Sequence, residues 1–271
     1  MRSRRPVPFV LLVAAAALAA PAGGSGKPGD TLPTRQPGTL TVGVDIGTVG
    51  LAEGLVVNGA VTHAQGFEID LARALARQVG LKLRVVDVPF THVFSAGAKP
   101  FDVSVSHVTI TTERARSVDF SAPYFVVNKG VLVAPGVAPP TTVGALRDLR
   151  VCAQTGTTSM RYVLTKLRPT QAPHGFPSPI DALRALSDGF CQAMVADLEI
   201  LVAAKRDQPD LYGPVAGQIV THERYGVVFE KGSKLRRPVG TALSALARAG
   251  VVTRLATRWF GAGWDKVPVL R

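Results

Sequence analysis

The stretch from Ser106 to Phe125, SHVTITTERARSVDFSAPYF, sets the hydroxyl side chains of Ser106, Thr109, Thr111, Thr112 and Ser117 around Arg114 and Arg116. It follows a β-branched apolar run, so these groups fall where a strand should end. A guanidinium is a planar fork of donors that matches a carboxylate, and nearby hydroxyls and backbone N–H groups extend such a grip. The plainer reading is a strand-to-helix turn with surface arginines. Other chemistry-bearing residues also follow apolar runs. Asp45 closes TLTVGVD, Phe90 follows VVDVP, Gln154 to Thr158 follow RVCA, and Asp197 follows QAMVA. There is no Gly-rich phosphate loop, no His/Cys set with zinc spacing and no Gly-x-Ser-x-Gly elbow. No cofactor or metal is expected, and the collected groups suit binding of a small charged molecule.

The elements that must position these residues alternate along the chain. TLTVGVD (39–45) reads as an apolar strand. GFEIDLARALARQVG follows as a helix with Ile69, Ala72, Leu75, Ala76 and Val79 on one stripe, closed by Gly80. LKLRVVDV and FDVSVSHVTI read as strands. The pattern restarts after YFVVNKGVLVA, with a helix around 142–149, a strand at 151–153 and a helix from about Thr158. A helix at 181–187, a strand at 192–195, the segment RYGVVFEKG and helices over 235–249 and 252–259 complete it. Strands separated by helix-length segments predict an α/β fold with largely parallel sheets. In such sheets ligands sit beyond the carboxyl ends of the strands, which is where the candidate residues fall.

The chain opens with Arg2, Arg4 and Arg5, an apolar run from Val7 to Ala20, and the small-x-small triplet Ala20-Pro21-Ala22. This is the pattern of a secretory signal peptide over 1–22, cleaved near Ala22. Residues 23–38 are Gly/Pro-rich and read as a flexible leader. An exported chain is expected, in the periplasm or at the extracytoplasmic surface. The formal charge of +12 loses three arginines with the signal. The remaining cations are scattered, without a dense basic run or an aromatic platform, which argues against nucleic acid and for a solvated basic surface. Cys152 and Cys191 form an even pair in an exported protein, so a disulfide is expected, with two buried free thiols as the alternative.

In the order GVD, GFEIDLARALA, VPF, TITTERARSVDFSAPYF, CAQTGTTS, DALRALSDGFCQAMVAD, YGVVFEKG and RWFG, the chain resembles extracellular solute-binding proteins of family 3, the receptors of polar amino acid ABC importers. The resemblance implies a two-lobed, periplasmic-binding-protein-like clamp of type II, crossed twice at a hinge. Lobe 1 would comprise 39–127 and 224–271, and lobe 2 would comprise 128–223. It implies a monomer that binds a polar amino acid between the lobes, closes by hinge motion and delivers the ligand to a membrane permease.

The roles it implies are specific. Arg114 and Thr109 would grip the ligand α-carboxylate, and Thr157 and Thr158, opening a helix, would assist through free N–H groups or simply cap it. Asp197 would receive the α-ammonium group, Asp45 would meet the ligand side chain, and Phe90 would form an apolar wall. Tyr124 and Phe125 would pack at the hinge, and Glu113 would start a helix. His107 stands where many relatives have Gly, Gln154 where some have Lys, and the usual aromatic after Asp45 is missing. The paired cysteines resemble those of acidic or broad amino acid receptors, whereas Asp45 favours basic or amide ligands. Two other functions stay open: an exported dehydratase-like enzyme, with Glu199 and His107 as candidate acid or base, and a sensory binding protein without transport.

Overall fold

The computed structural model describes residues 32–57 and 60–271, so the expected signal peptide lies outside the described residues. Among the described residues, twelve strands build two sheets. The first takes β1 (Thr39–Val44), β2 (Glu53–Val57), β3 (Ala60–Gln65), β4 (Lys82–Asp87), β5 (Val103–Ser104) and β6 (Val118–Phe120). The second takes β7 (Phe125–Val133), β8 (Val151–Gln154), β9 (His174–Phe176), β10 (Ala193–Asp197) and β11 (Val215–Tyr225), and β12 (Val228–Glu230) returns to the first. The orders are β2-β3-β4-β1-β5-β12-β6 and β11-β7-β10-β8-β9. β1 is parallel to β4 and β5, whereas β12 runs antiparallel to β5 and β6. In the second sheet β8, β9 and β10 are parallel, while β7 is antiparallel to both β10 and β11. The expected α/β clamp is therefore present with mixed sheets.

The helices are α1 (Phe67–Gln78), α2 (Phe90–Val93), α3 (Val143–Leu146), α4 (Thr158–Tyr162), α5 (Pro179–Ser187), α6 (Leu198–Asp207), α7 (Arg236–Arg248) and α8 (Val251–Phe260). α1 starts at Gly66, whose φ of +124° suits glycine and whose added Cβ would lie 2.1 Å from the Leu51 carbonyl oxygen. Its acidic first turn (Glu68, Asp70) and basic last turn (Arg77) complement the helix dipole. α1, α7 and α8 cover one face of the first sheet around Leu40, Val42, Ile69, Leu75, Leu243 and Phe260. Leu198, Ile200 and Ala203 of α6 join that same core, which ties the second sheet's helix layer to the first. A smaller cluster around Val93, Phe101, Val118 and Phe120 fills the other face. The second sheet buries two clusters, around Leu132, Leu183 and Met194 and around Val131, Val151 and Val195.

The chain passes between the sheets along β7 and back along β11, and these strands pair with each other: Phe125 faces Tyr225, Val127 faces Glu223, and after a bulge Lys129 faces Ile219. Phe125 stacks on Tyr225 and Trp264, and Tyr124 packs 6.2 Å from Tyr225. The tail departs from the expectation that all of 224–271 stays with the first lobe. Gln218 donates to the carbonyls of Asp265 and Val267 and Leu270 enters the second sheet's core, because its apolar side chain finds cover there. The β2–β3 hairpin was absent from the sequence expectation, and FDVSVSHVTI forms a strand only at Val103–Ser104.

Candidate functional site

Between the sheets lies a narrow cavity of about 20 Å³, bordered by Phe90, His107, Thr109 and Arg114 from the first-sheet side and by Gln154, Thr157, Thr158, Ser159, Pro179 and Asp197 from the second. Eight of the nine expected site residues meet here. Asp45 does not border the cavity. It sits behind Gln154, whose Nε2 makes a long 3.5 Å contact to Asp45 Oδ2, and burial pushes its carboxyl up to about 6.

Arg114 begins a short 3₁₀ turn (Arg114–Arg116). Its Nη1 donates to the Thr109 carbonyl at 2.9 Å, and Nη2 reaches across the cleft to the Gly156 carbonyl at 3.1 Å. The guanidinium lies 4.2 Å from the Phe94 ring centre and 5.3 Å from that of Phe90. Burial lowers its pKa to about 10, which leaves it charged at neutral pH. Two of its five N–H groups are engaged by these carbonyls, so donors remain for an anion.

Thr157 acts as an N-cap: its hydroxyl accepts from Met160 N at 3.0 Å and donates to the Gln154 carbonyl. Thr109 and Thr158 behave otherwise. Their hydroxyls, from opposite sides of the cleft, both donate to Glu223 Oε2, at 2.8 and 2.6 Å. Glu223 Oε1 lies 2.7 Å from Lys129 Nζ, which also reaches Thr158 Oγ1, Ser159 Oγ and, at 3.6 Å, Asp197. Lys129 is 1% exposed. This buried clasp was not among the sequence candidates. Its signal was an ionisable residue inside the apolar strand run VVNKGVLVA, because a buried cation requires partners.

Asp197 accepts from Tyr225 Oη at 2.6 Å and from Ser159 Oγ at 3.3 Å. Tyr225 Oη also lies 2.5 Å from Glu199 Oε1. One hydroxyl proton cannot serve both acceptors. Burial, then Asp197, pushes Glu199 up to about 8, so Glu199 carries the proton for the second bond. Glu199 does not border the cavity.

His107 is buried, with φ +39° and its ring stacked on Phe90 at 4.9 Å and 8°. Its backbone N–H donates to Glu68 Oε1, and its Nδ1 lies 3.4 Å from Glu68 Oε2. Glu68 is fully buried on α1 and also was not among the sequence candidates. Glu113 stands at the start of the 3₁₀ turn, as expected, and also pairs with Arg161 across the mouth of the cleft at 2.7 Å. Cys152 and Cys191 are buried free thiols in one hydrophobic cluster, so the expected disulfide is not formed here. Among the described residues, no group of three or more His, Cys, Asp or Glu side chains is arranged to hold a metal ion.

Two mixed sheets flanked by helices, joined by a paired β7–β11 ribbon and closing over a polar cleft, define an α/β clamp of the type II periplasmic-binding-protein class. The chain belongs to the bacterial extracellular solute-binding proteins, family 3, which match residues 46–262. It is 27% identical over 238 residues to the L-cystine-binding protein TcyJ of Escherichia coli (strain K12), covering 86% of each chain. It is 26% identical over 265 residues to the probable histidine-binding protein of Neisseria gonorrhoeae, covering 96% of this chain and 97% of that one. Among solved structures, an ancestral arginine-binding protein bound to glutamine superposes with a TM-score of 0.74 at 28% identity, over 83% of this chain and 99% of that one. An ancestral amino acid-binding protein described as a precursor of cyclohexadienyl dehydratase gives 0.70 at 28%, over 82% and 95%. Amino acid-binding proteins of ABC transporters are thus its relatives.

Proposed function

We propose that the protein is the substrate-binding receptor of an ABC importer, which takes up a polar amino acid in the cleft and hands it to a membrane permease. The observation that carries this reading is Arg114, a buried charged fork with unused donors on the wall of an inter-sheet cavity. In this reading the guanidinium and Thr109 hold the ligand α-carboxylate, while Thr158 and Asp197 close over it from the other lobe. Because the clasp already engages Thr109, Thr158 and Asp197, ligand entry requires the lobes to part and these partners to rearrange. The hinge lies where β7 and β11 pair, with 39–127 and 224–271 as lobe 1, except for the tail from about 265, which packs on lobe 2 (128–223). The mature chain begins after a signal peptide cleaved near Ala22 and works as a periplasmic or extracellular monomer.

Arg114→Ala tests this. Loss of charge-assisted hydrogen bonds to a desolvated carboxylate costs at least ~1.5–3 kcal/mol, so calorimetry should find affinity for the preferred amino acid at least tenfold weaker. Unchanged affinity would remove Arg114 from the site. A second reading, an exported enzyme on this fold, draws on Glu199, a carboxyl still protonated near neutral pH. Turnover of prephenate-type substrates that Glu199→Gln abolishes would favour it.

A further inference from the structure

His107 carries the one buried side-chain nitrogen that borders the cavity without a partner: Nε2 has no hydrogen-bond partner among the described residues. An unpaired buried polar atom is costly, and this one is held rigidly. The ring is clamped between Phe90 on one face and Tyr225, edge-on at 6.3 Å. The backbone N–H and Nδ1 are both tied to Glu68 on α1. The carboxylate orients the ring by taking Nδ1, as a histidine's second nitrogen partner does in preorganised sites. Nε2 is then left as the free end.

We infer that His107, oriented by Glu68, is a specificity-determining donor, its Nε2–H reaching the ligand side chain and selecting a terminal carbonyl oxygen, as in a carboxylate or carboxamide. The inference rests on the amino acid-receptor reading and adds the ligand class. The groups facing the imidazole favour its protonated, two-donor form. The charged carboxylates are Glu68 from α1, Asp45 from the end of β1 and Asp197 from the end of β10, while Glu199 of α6 carries its proton and adds no charge. Tyr124 and Tyr225 lie beside them, and Arg114 is the nearby cation. Burial pulls the imidazole down, but Glu68, Asp45 and Asp197 together more than offset it, so its pKa lies above the ordinary value. A cationic side chain would meet this second cation in a desolvated space. Gln154, which lines the same cavity from the second-sheet side, can complete recognition of a carboxamide.

The test is calorimetry of the mature chain near neutral pH against glutamine, asparagine, glutamate, aspartate, arginine, lysine and leucine. The expected result is at least tenfold tighter binding of one or more of the first four than of arginine or lysine. Glutamine above glutamate would identify the carboxamide as the ligand end, and the reverse the carboxylate. His107→Leu should weaken that binding at least tenfold, whereas His107→Gln, which keeps an N–H at the Nε2 level, should recover most of it. In wild type the preferred ligand should bind more weakly as pH rises through the imidazole's titration, and in His107→Gln that dependence should disappear. Tighter binding of arginine or lysine, or full affinity in a folded His107→Leu chain, would overturn the inference while leaving the receptor reading intact. Binding of none of the seven would overturn the inference, and binding of none of the twenty amino acids would overturn the receptor reading itself. If the His107 variants fail to fold, the wild-type panel and its pH series still decide.

Discussion

The Lys129–Glu223 pair offers a quantitative test of how the cleft is held. Lys129 Nζ is 2.7 Å from Glu223 Oε1, and the side chains are 1% and 13% exposed, so solvent screens the pair little. Removing one partner of a buried ion pair typically costs 3–5 kcal/mol, because a charge is stranded. Here Asp197, 3.6 Å from the same ammonium, takes up part of that loss. For Glu223→Gln, which keeps the shape, we therefore expect about 3 kcal/mol. At about 2–4 °C per kcal/mol for a chain of this size, the melting temperature should fall by roughly 6–12 °C. Lys129→Met should cost a comparable amount. The double variant should lose clearly less than the sum, with a coupling of about 2–3 kcal/mol, since it leaves only Asp197 without its cation and Asp197 keeps its bonds from Tyr225 and Ser159. Denaturant or thermal unfolding of the four proteins closes the cycle. Strictly additive losses, or a Glu223→Gln cost below about 1 kcal/mol, would refute the clasp.

The buried Asp45 makes a pH prediction. Its carboxyl is raised from 3.8 to about 6 by burial, so the folded state prefers it protonated. The associated stability is fully present below about pH 4 and lost as pH rises through 6, amounting to about 3 kcal/mol. Asp45→Asn should therefore melt higher than wild type at pH 7, with the gain vanishing near pH 4, and an equal gain at both would contradict the assignment. Cys152 and Cys191 are buried free thiols, so the folded chain should shield both from solution reagents. Thiol titration should find two free thiols once the unreduced protein is denatured, and finding none would show a bridge instead.

The strand-end logic placed most of the site, because β1, β5, β8 and β10 are short apolar runs whose carboxyl ends converge on the cleft. Helix α1 was legible from its apolar stripe and closing Gly80, and α7 and α8 lie close to the expected ranges 235–249 and 252–259. Partners far apart in sequence were not. Glu68 and His107 are 39 residues apart and Thr109 and Glu223 are 114 apart, and no local pattern records that pairing. Asp45 looked like a cleft residue because it ends a strand, yet Gln154 stands in front of it. The β2–β3 hairpin escaped notice because its strands are half exposed and weakly patterned.

Receptor function is tested most directly by thermal shift of the mature chain against the twenty amino acids. A ligand that binds only the folded state at one hundred times its Kd adds about 2.7 kcal/mol, so at least one polar amino acid should raise the melting temperature by roughly 5–10 °C. No shift across the whole panel at millimolar ligand would contradict the assignment of the cleft as an amino acid site.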